Sequence, residues 1–260
     1  MIVTDDQRFD TMNVMPKTVE WFGHGGARFT KAFATTPMCC PSRASIFTGR
    51  YAHNHGVTTN AGARNLDQDS TVQRLLRDAG YRTAFVGKYL NSWGGGIPPP
   101  HFDRWTVLPP AGPLGTYYRD TYNVDGNLQD VAAYSTDYLT SRAVEYLHSF
   151  EAQDDVPWLL YVSPQAPHLP AEPAPRHAGA KVPEWSPGPN VPEQNRSDKP
   201  PWVSSVETIP VLGELTRMWQ LRTLMSVDDL VARVMGRMGK LGERNNTLAF
   251  FVSDNGVFWR

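Results

Sequence analysis

Five consecutive residues, Cys39-Cys40-Pro41-Ser42-Arg43, hold the most reactive chemistry of the chain. Adjacent cysteines rarely meet the geometry of a disulfide, and two thiols are too few for a zinc knuckle. The run therefore offers one or two special thiols just ahead of a helix start, with Pro41 and Ser42 suited to its first turn. A helix N-terminus gathers unpaired amides and positive potential, which favours an anion. Arg43 adds a planar fork of donors that matches a tetrahedral oxyanion. This chemistry reads as a nucleophile beside a sulfate or phosphate pocket. Two other fates for Cys39 compete with it: a buried, inert thiol, and an unmodified thiolate favoured by the helix terminus.

Carboxylates supply a second group of candidates. Asp5, Asp6 and Asp254 each stand just beyond a predicted strand, and ligand sites of open α/β sheets collect at the carboxyl ends of strands. Together with the Asn255 amide they form a hard-oxygen set that suits Ca²⁺ or Mg²⁺ better than zinc. Taken singly, an Asp in such a place is more often a helix cap or turn residue. Asp228-Asp229 falls in mid-helix, where a solvated face or a cap is the expected role.

The run Cys39-x-Pro41-x-Arg43 resembles the signature of the sulfatase family, whose first Cys becomes formylglycine after translation. Four further motifs follow the family's order: Thr4-Asp5-Asp6-Gln7, Gly87-Lys88-Tyr89-Leu90-Asn91, Ala166-Pro167-His168 and Ser253-Asp254-Asn255-Gly256. The stretch from Cys39 to Gly56, the GKYLN run and Glu172-Pro173-Ala174-Pro175-Arg176 look most like the N-acetylglucosamine-6-sulfatase branch. The resemblance implies a sulfuric ester hydrolase acting on a sulfated sugar such as N-acetylglucosamine 6-sulfate. It implies formylglycine at Cys39, made by a formylglycine-generating enzyme, and a Ca²⁺ or Mg²⁺ ion held by Asp5, Asp6, Cys39, Asp254 and Asn255. Arg43, Lys88 and His168 become catalytic candidates. Many sulfatases carry a His where this chain has Leu90, so Asn91 is expected to take over part of that polar role. His53 and His55 are candidates to meet the sugar or its sulfate. The rival readings are a phosphate or phosphonate ester hydrolase of the same superfamily, and an inactive anion- or sugar-binding fragment.

A chain of 260 residues with a formal net charge of −1 and no long basic block carries no electrostatic footprint for nucleic acid. No apolar run approaches the roughly 20 residues of a membrane span, and Met1-Ile2-Val3 does not open a secretory signal of the usual design. The family's usual setting, exported or lysosome-like, is the only guide to compartment. Ile2-Val3-Thr4 reads as the remnant of a buried strand, and the chain stops soon after Asn255-Gly256. The expectation is the N-terminal part of a sulfatase catalytic domain over residues 1–260, truncated at both ends, with the family's C-terminal subdomain absent.

The elements that must position these residues read as α/β, with a mostly parallel central sheet flanked by helices. Strands are expected at 2–4, 29–35, 82–86, 158–162 and 247–252. Helices are expected at 10–22, with Pro16 near its start, at 42–48, at 71–79 with Val72, Leu75, Leu76 and Ala79 on one face, at 137–150 and at 212–241. Residues 91–127 read as a long surface excursion rich in Gly, Pro and aromatics. Residues 169–210 read as a proline-rich surface segment of the kind that shapes substrate pockets.

Overall fold

The computed structural model describes residues 1–108, 116–153, 155–186, 193, 195–205 and 209–259; the rest of the two Pro-rich segments, Asp154 and Arg260 lie outside the described residues. In chain order the elements are β1 (Ile2–Thr4), α1 (Pro16–Thr18), α2 (Cys39–Thr48), α3 (Ala52–His55), α4 (Val72–Asp78), β2 (Arg82–Gly87), β3 (Arg104–Val107), β4 (Asp120–Val124), β5 (Asn127–Val131), α5 (Ser135–Glu151), β6 (Trp158–Ser163), α6 (Pro201–Ser204), α7 (Pro210–Leu241) and β7 (Phe251–Ser253). They build one sheet in the order β5-β4-β3-β2-β6-β1-β7. The pairs β1–β6, β1–β7, β2–β3 and β2–β6 are parallel, and β3–β4 and β4–β5 are antiparallel. The fold class is the expected α/β.

Alternation along the strands explains why both faces are covered, because successive side chains point to opposite sides. Ile2, Ala84, Val86, Leu160 and Val162 face a core shared with α5 and α7, through Leu139, Leu147, Val231 and Val234. Their neighbours Val3, Phe85 and Tyr161 face the other side, where α2 packs Cys40, Ala44 and Phe47. Helix α7 docks through Leu221, Leu224, Val227, Val231, Val234 and Met238, all buried at helical spacing.

Four local expectations are corrected. Residues 29–35 form no strand; Phe29 and Phe33 are 80% and 87% exposed, and a few apolar residues without a pairing partner do not make a ladder. The 10–22 segment is a 3₁₀ stretch (Phe9–Val14), then α1, then a π turn (Val19–His24), since Pro16 cannot donate into a continuous helix. In α4 the inward position belongs to Gln73, while Val72 and Leu75 face outward. The 91–127 excursion contributes β3 and β4 to the sheet. Strands β4 and β5 are joined by Asp125-Gly126, both at positive φ (49° and 92°), the geometry of a tight hairpin turn.

Parallel register brings the strand ends together. Thr4 sits opposite Ser253 and Gly87 opposite Ser163, so β1, β2, β6 and β7 all finish at one rim. Gly87 is required there: its φ is +116°, and a Cβ would meet the Ser163 carbonyl oxygen at 1.9 Å. That close approach sets Lys88, the next residue, directly over the rim.

Candidate active site

Strand β1 delivers Asp5 and Asp6, β2 delivers Lys88, β6 leads to His168, β7 delivers Asp254 and Asn255, and the N-terminus of α2 brings Cys39. Asp5, Asp6 and Cys39 each offer a ligand atom within 4.8 Å of the others. Asn255 Nδ2 donates to Asp6 Oδ1, which ties the β7 loop to the same group. Asp254 uses Oδ1 to accept from the backbone amides of Asp6 (3.1 Å) and Asn255 (2.7 Å), while Oδ2 accepts from Arg43 Nε at 2.8 Å. Its oxygens are thus turned toward Arg43 and the two amides. Among the described residues, two buried oxygens in the cluster accept no hydrogen bond, Asp5 Oδ1 and Asn255 Oδ1.

Cations crowd the same rim. Lys88 Nζ donates to Asp5 Oδ2 at 2.6 Å. Arg43, 1% exposed, spans the cluster: Nη1 donates to the Lys88 carbonyl (2.7 Å) and to Ser163 Oγ (2.6 Å), and Nη2 lies 3.5 Å from Asp5 Oδ1. Arg43 is therefore enclosed among carboxylates and backbone. His168 presents Nε2 3.8 Å from Asp6 Oδ2, and its Nδ1 meets the Leu169 carbonyl at 2.7 Å.

Burial and charge pull these groups in different directions. Burial pushes the Asp5 carboxyl up, but Lys88, Arg43 and His168 outweigh it and hold Asp5 well below the usual carboxylate range. Burial and the Asp5 charge drive Asp254 upward despite Arg43. Burial and Asp5 also raise Asp6. Burial lowers Lys88, yet Asp5 outweighs it and the net shift is upward. Burial, with Asp5 adding to it, pushes the Cys39 thiol up to about 12. That disfavours the unmodified thiolate reading: at this helix terminus desolvation and carboxylate repulsion win over the dipole.

The α2 terminus itself is less open than its sequence implies. Pro41 has no N–H, the Ser42 amide bonds Met38 O, and the Cys40 amide donates to Asn60 Oδ1 at 3.0 Å. The remaining candidates separate clearly. Asn91 accepts a contact from Cys40 Sγ on its backbone oxygen (3.9 Å), and its Oδ1 is buried without a partner. His55 is buried, with Nε2 on Ser45 Oγ (3.0 Å) and Nδ1 accepting from the Val57 amide (3.1 Å), so both ring nitrogens are engaged away from the carboxylates. His53 is exposed and stacks on Tyr51. Sequence reasoning passed over Ser42, whose Oγ donates to the Asp254 carbonyl, and Ser163, which anchors Arg43. Ser163 was findable, since it ends a parallel strand as Thr4 and Ser253 do; Asn60 carried no signal.

Comparison with known proteins places this geometry. The sulfatase family model matches residues 1–257. The human N-acetylglucosamine-6-sulfatase is 34% identical over 98% of this chain and 50% of its own length. The Drosophila melanogaster extracellular sulfatase SULF-1 homolog is also 34% identical, over 98% of this chain and 24% of its own. The chain thus spans about half or less of the length of these relatives. Among solved structures, BT4656 in complex with its substrate D-glucosamine-2-N,6-O-disulfate superposes with a TM-score of 0.83 at 23% identity, over 100% of this chain and 65% of that one. A phosphonate monoester hydrolase from Silicibacter pomeroyi reaches 0.71 at 20% identity, over 98% and 62%. These two establish a shared fold, and the family match over nearly every residue establishes kinship: the chain belongs to the sulfatase family.

Proposed function

We propose that this rim is the catalytic centre of a sulfuric ester hydrolase that removes sulfate from a sugar of the N-acetylglucosamine 6-sulfate type. The observation that carries the reading is the convergence of Asp5, Asp6 and Cys39 within 4.8 Å, beside two unpartnered buried oxygens. Oxygen donors of this kind fit a hard divalent cation, Ca²⁺ or Mg²⁺, and the orphaned Asp5 Oδ1 and Asn255 Oδ1 are groups such an ion satisfies. A thiol is the one soft member of the set, and conversion of Cys39 to formylglycine by a maturation enzyme replaces that sulfur with oxygen. When bound, the cation polarises the sulfate ester and lowers the cost of charge at its oxygens. The hydrated aldehyde of the modified residue supplies a hydroxyl as the attacking group.

The chain's own residues do the positioning. Lys88 offers a cation at the site mouth, held by Asp5 on one side, where it meets the sulfuryl oxygens. Arg43 fixes Asp254 and Asp5 from inside the fold and keeps both ionisable groups in register. His168 holds Nδ1–H against the Leu169 carbonyl, which leaves Nε2 to face the leaving-group oxygen as a proton donor when charged. Asn91 contributes a carbonyl oxygen without a protein partner, suited to a sugar hydroxyl. The 34% identity to N-acetylglucosamine-6-sulfatases supports the sugar class, and relatives named extracellular support an exported setting.

The test is co-expression with a formylglycine-generating enzyme, mass spectrometry of the Cys39 peptide, and sulfate release from N-acetylglucosamine 6-sulfate with Ca²⁺ or Mg²⁺. Loss of sulfur at Cys39 together with metal-dependent sulfate release is expected. A converted, folded protein that cleaves a phosphonate monoester and no sulfate ester overturns the reading.

A further inference from the structure

His168 is held by its backbone as well as by the bond from its ring Nδ1 to the Leu169 carbonyl. Its carbonyl accepts from the hydroxyl of Tyr117, 1% exposed, at 2.7 Å. Its amide donates to Gln165 O at 2.8 Å. The carbonyl of Pro167, immediately before it, accepts from Gln220 Nε2 at 3.0 Å. Gln220 is 1% exposed on α7, and a buried carboxamide pointing away from its own helix needs partners at both ends. Its Oε1 accepts from the indole N–H of Trp259. Trp259, 4% exposed, lies on the loop that carries Asp254 and Asn255, and the Arg8 guanidinium stands 4.3 Å over its ring. A relay therefore runs from the loop after β7, through Gln220, to the turn after β6. The two loops also meet directly through Asp6, which receives the Asn255 amide group on one oxygen and faces His168 with the other.

We propose that Gln220, oriented by Trp259, is a positioning residue that keeps the His168 turn in register with Asp6 and the loop bearing Asp254 and Asn255. A carboxamide suits this task because it donates and accepts at fixed angles, so the two loops are set by one rigid group. A Leu or Met at 220 would preserve the packing of α7 and lose both bonds. The proposal deepens the sulfatase reading, and its catalytic arm rests on that reading.

Gln220→Met keeps volume close to native, Trp259→Phe keeps an aromatic ring while giving up the indole N–H and some volume, and each breaks the relay. In the matured enzyme each is expected to lower kcat about 10- to 100-fold with KM little changed, because a displaced catalytic group costs that much. The same changes made on a His168→Ala background are expected to cost less than about twofold more, since residues acting as one unit are not additive. If the losses multiply in full on that background, Gln220 does not act through His168 and the proposal is overturned. An arm independent of turnover uses ¹⁵N-histidine NMR of the folded protein. Both variants should move the His168 ring signals and leave those of exposed His148 in place. Unmoved His168 signals overturn the relay even if sulfate is released. Moved signals in a protein that releases no sulfate uphold the relay and count only against the proposed reaction.

Discussion

Two clusters of acid and base in this fold are built on different terms. On α7, Asp228 and Asp229 are fully spoken for. Asp228 Oδ1 accepts from the Thr18 amide (2.7 Å) and hydroxyl (2.8 Å), and Oδ2 from the Lys17 amide (3.2 Å). Asp229 pairs with Lys17, with Arg176 at 2.9 Å and with His177 at 2.9 Å, while Arg176 grips both oxygens of Asp137. At the strand ends, Asp5, Asp6 and Asp254 crowd together, and among the described residues Asp5 Oδ1 and Asn255 Oδ1 are buried without a hydrogen bond, Asp5 Oδ1 having only the Arg43 guanidinium at 3.5 Å. The outcome is legible in their acidities. Burial pushes Asp229 up, but its bonds to Lys17, His177 and Arg176 bring it down to about 2; at the rim burial pushes Asp5 up and Lys88 and Arg43 likewise pull it low, whereas burial and repulsion raise Asp254 and Asp6. A cluster that satisfies every oxygen is a fastener; one that leaves buried oxygens without a hydrogen bond is a candidate binding site.

The contrast is tested first by removing function without stability. Cys39→Ala should abolish ester hydrolysis, a loss on the order of 10⁴-fold or more as for other nucleophiles, while the melting temperature stays near native. Steady-state kinetics beside calorimetry reads both, and appreciable residual turnover breaks the assignment of Cys39. Lys88→Ala should cost about 10²- to 10³-fold in kcat, the typical value of one contact to developing negative charge. A kcat/KM within about threefold of native contradicts a role for Lys88 against the sulfate.

Metal addition separates the clusters next. At a hundredfold excess over its Kd, a cation binding only the folded state adds about 2.7 kcal/mol. The sign of its pH dependence follows from Asp254. A carboxyl raised in the folded state holds its proton more tightly there, so its contribution is present at low pH and lost as pH rises above the ordinary carboxylate range. The metal-free protein should therefore lose stability on that side, and Ca²⁺ or Mg²⁺ should restore it, with an increment that grows from about pH 5 to about pH 8. Asp254→Asn should flatten the metal-free slope. An increment independent of pH removes the electrostatic account of the cluster.

How much of this was readable beforehand divides along physical lines. Strands β2 and β6 and helices α5 and α7 carry clear apolar signals, β1 is a short apolar remnant, and the motif residues Asp5, Asp6, Cys39, Lys88 and Asp254 all sit at the rim the strands make. Strands β3 and β4 escaped because their segments are rich in Gly, Pro and aromatics, although Asp125-Gly126 is a strong hairpin signal. The 29–35 prediction failed because a short apolar run says nothing of whether a neighbouring strand pairs with it. Arg43 showed the limit of a motif: its presence was clear, but its burial among carboxylates depends on Ser163 and Asp254, far away in sequence. His55 was chemically eligible yet spends both nitrogens on its own neighbourhood. The relay through Gln220 left one faint mark, three polar residues (Gln220, Thr223 and Ser226) at a spacing that puts them on a face otherwise apolar, all of them buried.

The smallest expected effect comes from the fastener. Asp229 titrates near about 2 in the fold against about 3.9 when unfolded. A depressed carboxylate contributes stability that is fully present above the unfolded value and is lost as pH falls from about 4 toward about 2. Lys17 is half exposed, with 49% of its side chain open, and Asp229 shows 25%. Solvent screening therefore trims the contribution to about 1–2 kcal/mol. Asp229→Asn keeps the shape of the group and removes its charge, and it should lower stability by that amount at pH 7 while leaving it almost unchanged at pH 2. Urea unfolding at the two pH values measures the difference directly. Turnover at saturating substrate should be unaffected, because Asp229 clasps Lys17, Arg176 and His177 and shares no partner with Asp5 or Cys39. A large loss of turnover with native stability would mean that the satisfied cluster also serves the reaction, and that orphaned oxygens are a poor guide to which acids do chemistry here.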